Sequence, residues 1–358
     1  MRQYKIAAIP GDGIGPEVIA AGLEVLNVCA QRDGGFVLQV EHFDWGSDYY
    51  NKHGTMMAHD GAERLRAFDA IYFGAVGAPN VPDHITLWGL RLAICQRLDQ
   101  YANVRPTRIL PGIASPLRDV AAGALDWVIV RENSEGEYAG NGGRAHRGLP
   151  EEVATEVAIF TRAGVARIMR FAFALARSRP RKLLTVVTKS NAQRHGMVMW
   201  DEIAAEIAGQ FPDVTCDKVL VDAMTVRMIA RPQSLDTIVA TNLHADILSD
   251  LAAALAGSLG IAPTANLNPE RKAPSMFEPI HGSAFDIAGK GIANPIGTLW
   301  SGAMMLEHLG EGAAASRLMK AIERMTADRA YHTPDLGGSA TTRKVTDAVC
   351  RALEGDNS

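Results

Sequence analysis

The chain has 358 residues, of which 47% are hydrophobic and 21% charged, a mixture that suits two or three globular domains or one large α/β unit. This composition excludes a disordered, collagen-like or low-complexity chain. The net charge of −4 argues against nucleic-acid binding by phosphate neutralisation, and no apolar run reaches the roughly 18 residues that a membrane span needs.

The first residues lead directly into a strand pattern, without an apolar secretion segment. The four cysteines are scattered, with no CxxC pair and no histidines at zinc spacing: Cys29, Cys95, Cys216 and Cys350. Both features predict a cytoplasmic protein in a reducing compartment. The net charge and the lack of a long apolar run predict that neither a nucleic acid nor a membrane is among its partners.

Short apolar runs alternate with helical patterns along the whole chain. The runs predict strands at Lys5–Ile9, Phe68–Phe73, Trp127–Val130, Leu183–Thr188 and Thr237–Ala240. The helical patterns begin near Glu17, at Ala163 and at Asp201. Such alternation predicts an α/β sheet with helices on both faces, and the polar residues that follow each strand suit a ligand site at the carboxyl ends of the strands.

The loop after the first strand is rich in glycine and reads Gly11-Asp12-Gly13-Ile14-Gly15-Pro16. Its spacing is GxGxG, whereas the dinucleotide fingerprint is GxGxxG. Because Pro16 suits the first turn of a helix, a tight strand-to-helix turn is favoured over a dinucleotide site.

Two further segments carry reactive side chains directly after predicted strands. Arg131 could hold a carboxylate with two hydrogen bonds, and Tyr138, seven residues on, could act as an acid. Lys189 could act as a base if its pKa is lowered. The alternatives are a salt-bridged surface loop for the first segment and a solvated lysine for the second.

Two segments stand apart from the alternating pattern. The glycine-rich loop Gly140–Pro150 and the β-favouring stretch Val153–Phe160 predict a protruding hairpin that pairs with another subunit. The segment Pro263–Asn294 has few periodic elements and many Gly, Pro and Asn residues. A compact protein tolerates so long an irregular segment mostly where it builds a binding site.

Asp246 and Asp250 are one helical turn apart and share a face that borders an apolar stripe. Two like charges there repel each other unless a cation lies between them, and oxygen ligands favour Mg²⁺ or Mn²⁺ over zinc. The alternative is a favourable first-turn charge for Asp246 and a solvated one for Asp250.

Taken in series, these pieces resemble the β-decarboxylating dehydrogenases, the family of isopropylmalate, isocitrate, D-malate and tartrate dehydrogenases. The segment Pro82–Trp88 is most similar to the D-malate and tartrate branch. The resemblance is carried by motifs in the family's order at Asp99–Pro106, Val130–Tyr138, Thr188–Asn191, Asp246–Asp250 and Glu278–Pro295.

The resemblance implies an α/β protein with the two-domain α/β/α sandwich of isopropylmalate dehydrogenase, a mixed central sheet and no standard Rossmann fingerprint. Residues 1–100 and 257–358 would form a large NAD-binding domain. Residues 101–256 would form a smaller domain for substrate, metal and dimerisation, with an arm near 140–160.

The implied reaction is the NAD- and metal-dependent oxidative decarboxylation of a 2-hydroxy dicarboxylic acid, D-malate or tartrate, through a 2-keto acid and its enolate. Mg²⁺ or Mn²⁺ would be held by Asp222, Asp246 and Asp250, with K⁺ as a further candidate cation. Lys189, helped by Asp222, would remove the hydroxyl proton, and Tyr138 would return a proton to C3.

The resemblance also implies binding residues and a partner. Arg105 and Arg131 would hold the substrate carboxylates. Lys189 and Asp222 would reach across from a second copy, so the catalytic unit would be a homodimer. Asp286 would bind the ribose hydroxyls and favour NAD over NADP. The full set implied for NAD is Glu278, His281, Gly282, Ser283, Ala284, Asp286 and Asn294.

Some positions depart from the family pattern and leave the substrate open. The arginine expected ten residues before Arg105 is Cys95, and we predict that Arg91, on the same helix face, replaces it. His244-Ala245 replaces a usual Phe-Gly, and Phe285 a usual proline. One alternative is 3-isopropylmalate dehydrogenase. Its substrate carries a branched group, which the Trp88 side chain should crowd. The other is a non-catalytic regulatory homologue, which would be expected to lose some of the reactive groups.

Overall fold

The computed structural model describes residues 1–118, 120, 123 and 125–355. The chain divides into two compact units: Met1–Gln100 with Ile109–Arg118 and Ala253–Ser358, and Tyr101–Arg108 with Asp119–Ala252. The sequence predicted that the chain passes from the first domain to the second near Tyr101 and returns near Gly257, with everything between them in one domain. In the structure the chain returns to the first unit at Ala253, and Ile109–Arg118 also belongs to that unit.

The strands of the described residues are numbered in chain order. They are β1 (Arg2–Gly11), β2 (Phe36–His42), β3 (Ala70–Ala75), β4 (Ala102–Arg108), β5 (Asp126–Glu132), β6 (Gly136–Ala145), β7 (Val153–Ile159), β8 (Leu183–Thr188), β9 (Thr215–Leu220), β10 (Thr237–Ala240), β11 (Pro263–Leu267) and β12 (Ser275–Pro279).

The α-helices are numbered in the same way, and a short π-helical segment, Leu87–Arg91, joins the fourth to the fifth. They are α1 (Gly15–Asp33), α2 (Ser47–His53), α3 (Gly61–Leu65), α4 (Asp83–Thr86), α5 (Leu92–Arg97), α6 (Arg162–Ser178), α7 (Gly196–Ala208), α8 (Val221–Ala230), α9 (Asn242–Ala256), α10 (Ile296–His308), α11 (Gly312–Ala327) and α12 (Thr342–Gly355). None of these described helices is long and apolar enough to cross a membrane.

The first unit contains strands in the order β2-β1-β3-β12-β11. The first four are parallel, and β11 runs antiparallel to β12. Successive side chains of β1 point to opposite faces of the sheet. Ile6 and Ala8 join the core beneath α1 and α10, whereas Ala7 and Ile9 join a second apolar cluster with residues of α3 and α5. Helices therefore cover both faces, as the α/β/α prediction requires.

The second unit contains strands in the order β4-β5-β10-β8-β9, with β4 antiparallel to β5 and the other pairs parallel. The mixed α/β architecture predicted from the sequence is confirmed. Helix α6 packs on β5, β8 and β10 through an apolar face that includes Ile168, Met169 and Phe173. The predicted hairpin is present, since β6 pairs with β7 antiparallel.

The sequence treated Pro263–Asn294 as irregular, and this was wrong for its first half, which forms β11 and β12. Their sequences, PTANL and SMFEP, contain few β-branched residues. They become strands because β12 pairs with both β3 and β11, a tertiary effect that local propensity does not report.

Candidate active site

The second unit places a cluster of polar side chains after β5 and along α9. Arg131, near the end of β5, is only 2% exposed. Its Nε donates to the Asn242 side-chain oxygen over 2.8 Å, and its Nη1 donates to Asp246. The Arg131 guanidinium also lies 5.1 Å from the centre of the Tyr138 ring. The loop arginine and tyrosine that the sequence singled out therefore lie together.

A second arginine reaches the same carboxylate from β4. Arg105 is buried, and its Nη2 lies 3.6 Å from Asp246 Oδ1. Its Nε donates to the Asn103 side-chain oxygen over 2.7 Å, and its Nη1 donates to Ser249. The Tyr138 hydroxyl donates to Asp246 Oδ2 over 3.0 Å. Two fixed guanidinium groups and one phenol thus converge on one carboxylate.

Asp250 follows Asp246 by one turn of α9. Loss of hydration, and then the negative charge of Asp246, raise the pKa of Asp250, while Arg105 and Arg131 oppose that rise. A divalent cation between the two carboxylates would relieve their repulsion, so this pair fits Mg²⁺ or Mn²⁺. Within the described part of one chain, however, no three His, Cys, Asp or Glu side chains are grouped to hold a metal. The third predicted ligand, Asp222, therefore does not join the other two inside one chain.

Asp222 pairs instead with Lys189. The Lys189 ammonium, which follows β8, donates to Asp222 Oδ1 in the first turn of α8 over 2.6 Å. This hydrogen bond holds the pKa of the Asp222 carboxyl below its ordinary value. The Asp222 side chain is 65% exposed and that of Lys189 is 29% exposed. The predicted base and its helper are thus paired, the lysine half-buried and the carboxylate exposed.

The predicted NAD residues lie in the first unit, in and after β12. Glu278 is buried, and its Oε1 accepts from Arg91 Nε and from the Asn266 amide, each over 2.7 Å. His281 Nδ1 lies 2.9 Å from the Gly282 carbonyl oxygen, so it carries the ring proton, and burial lowers the pKa of the ring. Its Nε2 is then a buried acceptor without a partner among the described residues. An orphaned acceptor of this kind fits a hydrogen-bond donor on a bound cofactor.

The loop continues through a tight turn. Ala284 has a φ of +40°, and Ile287 N–H donates to its carbonyl oxygen over 3.1 Å. Asp286 is exposed. Asn294 is already engaged: its amide donates to Asp335 over 3.0 Å, and its oxygen accepts from Ile296 N–H. The sequence did not single out Asp335, which nothing near it in the chain distinguishes.

Of the positions that depart from the family pattern, Cys95, His244 and Ala245 are buried, whereas Phe285 is 43% exposed. Cys95 is 1% exposed and packs in the apolar cluster of the first unit. Arg91 forms a buried ion pair with Glu278, so a substrate carboxylate at Arg91 would have to share its guanidinium. Burial lowers the pKa of His244, whose Nδ1 has no partner in the part of the chain that the structure describes.

Comparisons with known proteins show the family of the chain. The family model described as isocitrate/isopropylmalate dehydrogenase matches residues 5–349. A probable tartrate dehydrogenase/decarboxylase from Agrobacterium vitis is 75% identical over all of this chain and 98% of its own length. The decarboxylating D-malate dehydrogenase of Escherichia coli strain K12 is 51% identical, with 99% of both chains covered. The solved isocitrate dehydrogenase of Methylococcus capsulatus superposes with a TM-score of 0.88 at 37% identity, covering 98% of this chain and 99% of that one.

Proposed function

Because the chain belongs to the isocitrate/isopropylmalate dehydrogenase family, we propose that it oxidatively decarboxylates tartrate or D-malate with NAD and a divalent metal ion. The family match confirms the resemblance found in the sequence, and the protein is an enzyme that acts on the CH–OH group of a hydroxy acid.

The observation that carries the proposal is the convergence of Arg105, Arg131 and Tyr138 on Asp246. Two buried guanidinium groups supply fixed positive charge for a ligand with two carboxylates. Asp246 and Asp250 supply oxygen ligands for a divalent cation beside them. A small diacid would match both the positive charge of the two arginines and that of the cation, because its hydroxyl and the neighbouring carboxylate can chelate the cation.

The chain's own groups then divide the proton transfers. Asp246, Asp250 and Asp222 would hold the metal. When bound, NAD would supply the hydride acceptor for C2, and the metal would supply positive charge beside the C2 oxygen. Lys189, once deprotonated, removes the proton of the C2 hydroxyl at its Nζ, with Asp222 holding that nitrogen in place. After CO₂ leaves, the Tyr138 hydroxyl delivers a proton to C3.

The loop that contains His281 and Asp286 is the proposed NAD site. The buried Nε2 of His281 can accept a hydrogen bond from the cofactor. The exposed carboxylate of Asp286 can accept hydrogen bonds from ribose hydroxyls, and it would repel the 2′-phosphate of NADP. The local charge therefore favours NAD.

We further propose a cytoplasmic homodimer in which Lys189 and Asp222 serve the site of the partner copy. Helices α8 and α9 expose apolar side chains that a second copy would cover, namely Val226 (64%), Ile229 (54%) and Ile247 (57%). The hairpin of β6 and β7 exposes Val153 and Val157 in the same way. A second copy would also bring a third carboxylate to Asp246 and Asp250.

The proposal is tested by measuring reduction of NAD⁺ and of NADP⁺ with Mn²⁺ present and a panel of substrates. The panel contains D-malate, L-tartrate, meso-tartrate, 3-isopropylmalate and isocitrate. We expect the highest kcat/KM for a tartrate or D-malate with NAD⁺, and at least about 10-fold lower values with NADP⁺ because of Asp286. A preference for isopropylmalate, or equal use of both cofactors, would contradict the corresponding part of the proposal.

The Arg91→Leu variant tests whether Arg91 takes the place of the family arginine at Cys95. A clamp that pairs with a desolvated carboxylate contributes about 2–4 kcal/mol, so kcat/KM for the diacid should fall roughly 30- to 1000-fold. Cys95→Ala should cost far less.

The ion pair with Glu278 supplies the control for this variant. Removing Arg91 leaves a buried carboxylate uncompensated, which destabilises the fold by itself. The double variant Arg91→Leu/Glu278→Gln removes that charge, so its melting temperature should recover, while kcat/KM for the diacid stays well below that of the single variant Glu278→Gln, which shows the effect of Glu278 itself. Recovery of kcat/KM in the double variant to the level of Glu278→Gln would mean that Arg91 stabilises the loop and does not bind substrate.

A further inference from the structure

Four adjacent strands of the first unit, β2, β1, β3 and β12, run parallel. The loops that follow them therefore leave from the same edge of the sheet. The loop after β12 is the proposed NAD loop, His281–Asp286. The loop after β1 is the glycine-rich turn, which the proposed function does not use.

One buried carboxylate ties the first three of these loops together. Asp12, in the turn after β1, is 6% exposed. Its Oδ1 accepts from Ser47 N–H over 2.7 Å, in the segment after β2. Its Oδ2 accepts from Gly77 N–H over 2.8 Å, in the loop after β3, and from the Ser47 hydroxyl over 2.7 Å.

The same turn is joined to the fourth loop through its backbone. Ile14 N–H donates to the Ser283 carbonyl oxygen over 2.8 Å. Gly13 has a φ of +59°, and a Cβ built on it would lie 1.9 Å from that same oxygen. No side chain other than hydrogen fits there, so the two loops are in direct backbone contact.

We propose that Asp12 is a positioning residue for the cofactor, which fixes the NAD loop by holding the turn that contacts Ser283. This inference rests on the proposed NAD site. Both carboxylate oxygens are needed because each faces a backbone N–H, and backbone donors cannot turn away. An asparagine at this position must present its NH₂ group to Ser47 N–H or to Gly77 N–H, whichever way its amide lies.

The test compares binding of NADH, followed by fluorescence titration, with steady-state kinetics in NAD⁺. In Asp12→Asn we expect the Kd for NADH and the KM for NAD⁺ to rise about 10- to 100-fold, because a buried donor loses its charged acceptor. The kcat at saturating NAD⁺ should stay within about 3-fold of wild type, since Asp12 touches none of the reacting groups. Ser47→Ala, which keeps the backbone donor, should have a much smaller effect.

Tyr72→Phe is the matched control for lost stability. It removes a buried hydrogen bond in the same unit, from the Tyr72 hydroxyl to the Thr298 carbonyl oxygen, over 2.7 Å. It should lower the melting temperature and leave the Kd for NADH unchanged. Wild-type Kd in Asp12→Asn, or an equal rise in Tyr72→Phe, overturns the positioning role alone. Failure of the wild-type enzyme to bind NADH overturns the proposed NAD site as well.

Discussion

Replacing Asp250 with asparagine is expected to lower kcat by about three orders of magnitude, measured at saturating substrate and Mn²⁺. The neutral amide is a poor metal ligand, and the loss of negative charge weakens binding of the metal that would stabilise the developing enolate. Binding of Mn²⁺, followed by titration calorimetry, should weaken in parallel. In the wild-type enzyme, activity should disappear with EDTA and return when Mn²⁺ or Mg²⁺ is restored.

The stability of the Asp250→Asn variant separates lost chemistry from lost folding. The negative charge of Asp246 helps to raise the pKa of Asp250, so a neutral residue there relieves repulsion. The melting temperature should not fall. Asp347→Asn, at an exposed helix carboxylate that is paired with Arg343, is the matched substitution and should leave kcat unchanged. Full activity of Asp250→Asn, or of wild type in EDTA, would exclude the metal site.

The second large effect is expected for Lys189→Met, which removes the proposed base and should abolish measurable turnover. Asp246→Asn should be equally inactive, because it removes a metal ligand and the partner of two arginines. If Lys189 serves the site of the other copy, subunits of the two inactive variants that are unfolded and refolded together should regain activity. Random pairing leaves one intact site in each mixed dimer, so about a quarter of wild-type activity is expected.

The control for this experiment is the pair Lys189→Met and Asp222→Asn. In the proposed arrangement both of these residues serve the same site, so no mixed dimer contains an intact one. Recovery with the first pair and none with the second supports shared sites. Absence of recovery in both pairs, with mixed dimers shown to form, would place Lys189 in the site of its own chain.

The parts of the site that could be predicted from sequence are those encoded by local spacing. Asp246 and Asp250 are one helical turn apart, and Arg131 and Tyr138 lie in one segment, so their proximity follows from local geometry. The meeting of the two groups does not, because Tyr138 and Asp246 are 108 positions apart. It depends on β10 pairing with β5, which brings the start of α9 beside the end of β5.

The Arg91–Glu278 ion pair was beyond the reach of sequence reasoning, since its partners are 187 positions apart. The same holds for β11 and β12, whose sequences lack β-branched runs and which are strands because of their neighbours in the sheet. Arg91 and Cys95 were expected to lie on one face of an α-helix. In the structure Leu87–Arg91 is π-helical and Leu92–Arg97 is α-helical, so the ideal α-helical spacing of these two residues was only an approximation.

The division of the chain into two units has a consequence for how such a protein can diverge. The residues proposed to hold the metal and move protons all lie between Tyr101 and Ala252, whereas the side chains proposed to contact NAD directly all follow Ala253. The metal ligands and the side chains that select the nucleotide cofactor are therefore encoded in separate stretches of one gene. A recombination event near codon 253 could bring in a different cofactor preference and leave every metal carboxylate in place. Descendants of one ancestor can thus keep a single decarboxylation chemistry while their cofactor preference changes.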